Sequence, residues 1–265
     1  MSDMSVAVVG NLSLDLVDDG PPRVGGPPYY AAQALAALGA PALVRVKTSE
    51  ADRPRVLPPL EALGLSVEWR PGDATATYAF SYDGDLRSMD VLELGSRWSA
   101  EDVAGVDADW VHVGALFHGE FPADTLMALT SGGARLSFDG QGLVRPARSG
   151  PLELEPDADL SLLGQVTALK LSEEEALALT GGVDEQSLSE LGVPEVVVTL
   201  GSHGSMLVAE RRLVRIPADP LDVEPTGAGD AFAAAYVHGR SLGMDPRPAA
   251  ESATRLVHDL LASRR

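Results

Sequence analysis

The residues with the clearest chemical potential form one run, Pro225-Thr226-Gly227-Ala228-Gly229-Asp230-Ala231-Phe232, which continues into Ala233, Ala234, Ala235 and Tyr236. Two glycines bracket an alanine where a loop gives way to strong helix formers. Such a turn aims successive backbone N–H groups at one point, and the helix start adds a partial positive charge. An anion, or an oxygen that becomes anionic during a reaction, is stabilised there. Asp230 is out of place in a pure phosphate clamp, because a fixed negative charge repels the ligand. It has a task if a phosphoryl group moves onto a hydroxyl. The carboxylate then accepts the hydroxyl proton while the N–H groups of Gly227, Ala228 and Gly229 hold the transferring group. The other reading is structural, with Asp230 in a helix cap and Gly-Ala-Gly as an ordinary tight turn. A dinucleotide fingerprint does not fit, since Phe232 stands where a third glycine is needed, and no Lys-Ser/Thr follows to make a P-loop.

Chemistry of this kind needs a scaffold, and the rest of the chain reads as one. Short β-branched runs alternate with Ala- and Leu-rich stretches, the pattern of a parallel α/β sheet. Strands are predicted near 6–9, 43–46, 110–113, 135–138, 168–171 and 195–200, with a hairpin near 205–216. Helices are predicted over 29–38, 54–63, 122–129, 173–179, 185–191, 230–241 and 246–261. Gly39, Gly64 and Gly192 stand just past helix ends, and Asp124 and Asp230 in first turns. One segment, 74–94, breaks the rhythm: two alternating strands around Asp83-Gly84-Asp85 predict a hairpin with aromatic faces. It is either an extra edge hairpin or a surface that seeks a partner.

Ligands of a parallel sheet gather at the carboxyl ends of its strands. Asn11 and Asp15 follow the first strand, where a carboxylate can accept charge-assisted hydrogen bonds from neighbouring hydroxyls. Asp15 can equally be a turn former ahead of Asp18-Asp19-Gly20. Gly25-Gly26 lets a ligand approach the backbone, or is simply a loop ahead of a proline-started helix. Asp139 and Gln141 lie just past a strand end and are candidates for hydroxyl recognition. Arg145 is a contact to substrate or phosphate, or a surface arginine paired with acids. Ser172-Glu173-Glu174-Glu175 is written like a capping box. The five histidines show no metal-ligand spacing, and no nucleophilic triad is present.

The chain has 265 residues, 45% of them hydrophobic, enough for one large core or two small ones. A formal charge of −19 argues against nucleic acid and against strong attraction of a sugar phosphate, so a neutral ligand is favoured. No apolar run is long enough for a membrane span, and Met-Ser-Asp-Met-Ser lacks the basic flank of a secretory signal. Cysteine is absent, which removes disulfides and thiolate metal sites and fits a cytoplasmic location.

Thr226-Gly227-Ala228-Gly229-Asp230-Ala231-Phe232 resembles the C-terminal signature of the PfkB (ribokinase-like) carbohydrate kinases. Residues 6–15 resemble that family's opening strand and substrate aspartate, and 25–32 its diglycine helix start. Residues 169–176 resemble its Asn-x-x-Glu region and 196–204 its nucleotide-side strand and turn. The resemblance spans nearly the whole chain. It implies a single ribokinase-like α/β domain over 1–265, with a mainly parallel sheet, helices on both faces and a small β lid inserted at about 12–24 and 73–98. It also implies an ATP- and Mg²⁺-dependent kinase for a small sugar or polyol, dimerising through the lid. Asp230 would be the base, with Gly227, Ala228 and Gly229 beside it. Asn11, Asp15, Gly25, Gly26, Asp139, Gln141 and Arg145 would hold the acceptor. Lys170, Ser172, Thr199, Gly201 and Gly204 would line the nucleotide cleft, and Glu175 would hold water on Mg²⁺.

Three departures qualify this. Tyr29 and Tyr30 occupy the region where many relatives bind sugar with an asparagine, Ser172 replaces the usual asparagine, and the C-terminus is short, ending soon after one helix, which predicts a more open or differently built base pocket. The segments 117–124 and 139–145 look like the myo-inositol kinase branch. A nucleoside kinase on the same scaffold and a non-catalytic ligand-binding homologue are the alternatives.

Overall fold

The computed structural model describes residues 5–17, 20–83, 86–221 and 223–263. From the N-terminus run β1 (Val6–Asn11), β2 (Ser13–Val17), β3 (Arg23–Gly25), α1 (Pro27–Ala37), β4 (Ala42–Ser49), α2 (Arg53–Glu61) and β5 (Ser66–Gly72). A hairpin of β6 (Ala76–Asp83) and β7 (Leu86–Glu93) leads to β8 (Trp110–Gly114), α3 (Ala123–Thr130), β9 (Arg135–Asp139), the single turn α4 (Gln141–Val144) and β10 (Gly150–Pro151). Then come β11 (Ala168–Ser172), α5 (Glu173–Thr180), α6 (Glu185–Ser189) and β12 (Glu195–Thr199). The hairpin β13 (Ser205–Ala209) and β14 (Arg212–Ile216), α7 (Ala228–Ser241) and α8 (Pro246–Ala262) complete the chain.

Nine strands form the main sheet in the order β14-β13-β12-β11-β9-β8-β1-β4-β5. From β12 to β5 every neighbour is parallel, and β13 runs against them, antiparallel to both β12 and β14. A parallel sheet is covered on both faces, so its central strands read as unbroken apolar runs. Val6, Ala7, Val8 and Val9 are all fully buried. Val6 and Val8 face the core under α1, α7 and α8, while Ala7 and Val9 face the core under α3, α5 and α6. The predicted strands, C-terminal hairpin and helices are present, and helices cover both faces as expected.

The strand β5 is not foretold by its sequence, Ser66-Val67-Glu68-Trp69-Arg70-Pro71-Gly72. Its place at the sheet edge explains both its partial exposure and its tolerance of Pro71, which cannot donate to a ladder. The predicted hairpin is β6–β7, although Gly84 and Asp85 of its turn lie outside the described residues. It belongs to a second, five-stranded sheet of order β10-β7-β6-β2-β3. Tyr78, Phe80 and Val91 of this sheet pack on Leu116 and Phe117. Leu12 and residues 94–98 connect the small sheet to the main body.

Candidate active site

An open cleft of about 1260 Å³ runs along the carboxyl ends of the main strands, between the small sheet and α8. Its two arms meet at the start of α7. One arm is walled by Asp15, Tyr30, Tyr78, Phe80, Met89 and Leu116. The other passes the β12–β13 turn and ends on Leu221, Val223, Val257, His258 and Leu261.

The turn into α7 needs its glycines for more than flexibility. Gly227 caps the helix in the left-handed region at φ 78°, a conformation open to glycine at little cost. A Cβ on Gly227 would also lie 2.2 Å from the ring of Tyr30, and one on Gly229 would lie 2.7 Å from Lys170 Nζ. The first helical N–H groups lack partners inside the helix, which leaves donors at the cleft. One expectation changes here: the Ala228 N–H is already donated to the Pro225 carbonyl at 2.9 Å. It closes the turn, which leaves the N–H groups of Gly227 and Gly229 as the donors the turn could offer an anion.

Asp230, in the first turn of α7, lines the cleft but is only 9% exposed, and its buried Oδ1 has no hydrogen-bond partner. Burial, aided by the charge of Asp139, pushes its carboxyl up to about 7, while Lys170 and Arg145 pull the other way. Lys170 is one of two lysines in the chain and is buried, with Nζ 3.3 Å from Asp139 Oδ2. Burial acts against its charge, but the carboxylates of Asp139, Glu175 and Asp230 together hold its ammonium above the ordinary lysine range. The centre of the cleft is thus a compact arrangement of alternating charges, dry enough for each to matter.

In the first arm, Asp15 is buried and accepts a hydrogen bond from Ser13 Oγ at 2.7 Å. Its carboxylate packs so closely on Gly25 that a Cβ there would meet Oδ2 at 2.1 Å. Gly25 therefore makes room for Asp15 rather than touching the cleft. Gly26 lines the cleft, caps α1 at φ 92°, and leaves no room for a side chain against the Asn11 carbonyl. Asn11 does not line the cleft. Its amide is buried beneath it, donating to the Ser96 carbonyl at 2.8 Å and to Glu120 Oε1 at 2.7 Å. Asp139 is likewise fully buried and does not line the cleft: Oδ1 accepts from the Gln141 N–H at 3.0 Å and Oδ2 faces Lys170. Gln141 and Arg145 do reach the cleft.

In the second arm, Lys170, Ser172, Thr199, Gly201 and Gly204 line the wall together. Thr199 Oγ1 donates to the Leu171 carbonyl at 3.3 Å. Gly204, at φ 95°, lies where a Cβ would strike the Ile216 carbonyl at 2.1 Å. Ser172 and Glu175 form a complete capping box: the Ser172 N–H donates to Glu175 Oε2 at 2.7 Å and the Glu175 N–H to Ser172 Oγ at 3.1 Å. Glu175 Oε1 is 3.9 Å from Arg145. The structural reading of this segment is thus present in full, and Glu175 also lines the cleft. No group of three or more His, Cys, Asp or Glu suited to a metal ion occurs among the described residues.

Sequence reasoning passed over Glu120 and the role of Tyr30. Glu120 is fully buried, and burial pushes its carboxyl up to about 8 despite hydrogen bonds from the Leu116 N–H and Asn11. The available signal was a lone carboxylate between Gly119 and Phe121, in a stretch (114–122) whose other polar side chain is His118. His112 is also fully buried, 3.1 Å from Ser137 Oγ, and burial lowers it to about 3, so it is a neutral packing residue.

The profile of the pfkB family carbohydrate kinases matches residues 74–256. A 1-phosphofructokinase from Rhodobacter capsulatus is 34% identical over 156 residues, covering 55% of this chain and 46% of that protein, so the match spans about half the length of this relative. Among solved structures, a pyrophosphate-dependent kinase of the ribokinase family, complexed with a pyrophosphate analogue and myo-inositol, superimposes with a TM-score of 0.86. It is 22% identical and covers 97% of this chain and 95% of its own. A nucleoside kinase from Burkholderia thailandensis in complex with inosine gives a TM-score of 0.73 at 22% identity, covering 97% and 91%. At such identities the likeness establishes the ribokinase-like α/β fold.

Proposed function

As the chain belongs to the pfkB family of carbohydrate kinases, we propose that it transfers the γ-phosphoryl group of ATP to a hydroxyl of a neutral sugar or polyol, with myo-inositol the first acceptor to test. One observation carries this reading: Asp230, a buried carboxyl with an unpartnered oxygen, stands at the positive end of α7 where the two arms of the cleft meet. The acceptor hydroxyl donates to Asp230, and its oxygen attacks the γ-phosphorus in line. As the new O–P bond forms, the hydroxyl proton passes to Asp230 and the bond to the β-phosphate oxygen breaks. The N–H groups of Gly227 and Gly229 and the ammonium of Lys170 stabilise the charge that shifts to the departing ADP.

The charges favour a neutral acceptor. Among the described lining residues on this side, the carboxylates of Asp15, Asp90 and Glu153 outnumber Arg145, whose guanidinium also lies 3.9 Å from Glu175. A phosphorylated acceptor would meet carboxylates there. Asp15 can instead accept two hydroxyl hydrogen bonds, and Tyr30, Tyr78 and Phe80 can cover the apolar face of a ring.

ATP is assigned because an apolar wall of Leu221, Val223, Val257 and Leu261 extends past the phosphate turn, where a base can lie. Pyrophosphate is the second reading, favoured by the likeness to a pyrophosphate-dependent kinase. Magnesium fits as an ion that enters on the donor phosphates, because one cleft carboxylate, Glu175, is enough to reach it through water. The ion would neutralise phosphate charge. The donor makes a cytoplasmic location the natural one. The exposed Leu92 and the β3 and β10 edges of the small sheet support pairing with a second copy, testable by sedimentation.

The reading is tested by incubating purified protein and Mg²⁺ with ATP or pyrophosphate over panels of polyols, hexoses, sugar phosphates and nucleosides. Product is followed by ³¹P NMR. Turnover of a neutral polyol or sugar with ATP is the expected result. Preference for nucleosides, for sugar phosphates or for pyrophosphate would replace the corresponding assignment, and binding without turnover would indicate a non-catalytic homologue.

A further inference from the structure

Two of the stretches that connect the small sheet to the main body, Leu12 and residues 94–98, meet around Asn11 and Glu120. Glu120 Oε1 accepts from Asn11 Nδ2 at 2.7 Å, and Oε2 accepts from the Leu116 N–H at 2.5 Å. The same Asn11 amide donates to the Ser96 carbonyl at 2.8 Å, and the Glu120 carbonyl accepts from the Trp98 N–H at 2.8 Å. Gly95 is fitted against this amide, since a Cβ there would lie 2.8 Å from Asn11 Nδ2. Beyond Asn11 the contacts continue toward the cleft. A Cβ on Gly26 would meet the Asn11 carbonyl at 2.6 Å and the Ser13 N–H nitrogen at 2.9 Å, and Ser13 Oγ holds Asp15.

A fully buried carboxyl destabilises a protein unless its hydrogen bonds are met, and apolar residues of like size usually pack better. Glu120 is placed where its bonds do something an apolar side chain cannot. It ties together 11–15, 94–98 and 115–121, which supply Asp15, the return from β7 and the Leu116 wall. We propose that Glu120 is a positioning residue: through Asn11 it fixes the small sheet and Asp15 over the acceptor arm, without touching either substrate. The name of that arm rests on the phosphoryl-transfer reading; the mechanical tie does not.

Glu120→Gln keeps the shape but turns an NH₂ toward either Asn11 or the Leu116 N–H, so one bond is lost whichever way it rotates. With the acceptor found in the substrate screen, the expected result is a rise of about tenfold in acceptor KM, with donor KM within about twofold of wild type. Asn11→Ala, which spares the Glu120–Leu116 bond, should show the same split, and the double variant should be no worse than the poorer single one. Equal changes in both KM values, or effects that multiply in the double variant, would overturn the proposal. Amide hydrogen exchange separates this outcome from failure of the kinase reading. If wild type turns over nothing, the kinase reading fails, and faster exchange in β2 and β6 of the Gln variant, with β8 and β9 unchanged, would still uphold the tie. Unchanged exchange in β2 and β6 would refute it.

Discussion

The ammonium of Lys170 fills the space that a side chain at Gly229 would take, 2.7 Å from where its Cβ would lie. A buried cation is thereby lodged under the first turn of α7, with Asp139 as its ion-pair partner. Gly229→Ala should fold, because the obstructing atoms are the end of a flexible side chain, with a stability loss under about 1 kcal/mol. The displaced ammonium should nevertheless lower kcat by about tenfold or more. Gly227→Ala should behave differently. Its φ of 78° and the Tyr30 ring at 2.2 Å leave no inexpensive adjustment, so about 1–3 kcal/mol of stability should be lost. Thermal melts and steady-state kinetics on the two variants check the contrast.

Asp230 should show its environment in two pH dependences. As a base it must be ionised, so kcat/KM should rise with pH through about 7. Asp230→Asn should fold and lose about 10²–10⁴-fold in rate. For stability the sign follows from a carboxyl whose folded value is raised above the ordinary 3.8. The folded state then binds the proton more tightly than the unfolded chain. That contribution is complete below about 4 and is lost as pH rises to about 7. The Asn variant should therefore gain in melting temperature relative to wild type between pH 4 and pH 8. A constant difference over that range would contradict the buried placement.

Asp139 gives a third test, because its charge helps to raise Asp230 without lining the cleft. Asp139→Asn keeps an oxygen for the Gln141 N–H and removes that charge. The acidic limb of kcat/KM should move to lower pH, since an ionised Asp230 then meets less repulsion. Stability should fall, because Lys170 is left as half of a buried pair. An acidic limb that moves upward, or not at all, would mean that Asp139 does not act on Asp230.

Much of this was legible in the residues. The β-branched runs announced the parallel strands because both faces of such a sheet are buried, and the Gly-Ala-Gly-Asp turn announced the helix that carries Asp230. What stayed hidden depends on contacts between distant segments. Nothing near Gly25 tells that it makes room for Asp15, nor does the text around Gly229 reveal Lys170. Asn11 and Asp139 follow strand ends, as ligand-contacting residues do, yet both turn into the interior to bond Glu120 and Lys170. The strand β5 escaped because an edge strand with Glu68, Arg70 and Pro71 carries little of the apolar pattern that marks a buried one.

Asp15 stands in β2 of the small sheet, with one oxygen receiving Ser13 Oγ and the other packed against Gly25. Asparagine fits the same space, so Asp15→Asn should fold with little loss. It exchanges a charged acceptor for a neutral amide, and hydrogen bonds to charged groups contribute about 1.5–3 kcal/mol. Acceptor KM should rise by about 10- to 100-fold while donor KM stays near wild type. Because the substitution also removes a negative charge, it should narrow the preference for a neutral sugar over its phosphorylated form. Competition assays with such a pair measure that ratio directly, and an unchanged ratio would mean that Asp15 does not face the acceptor.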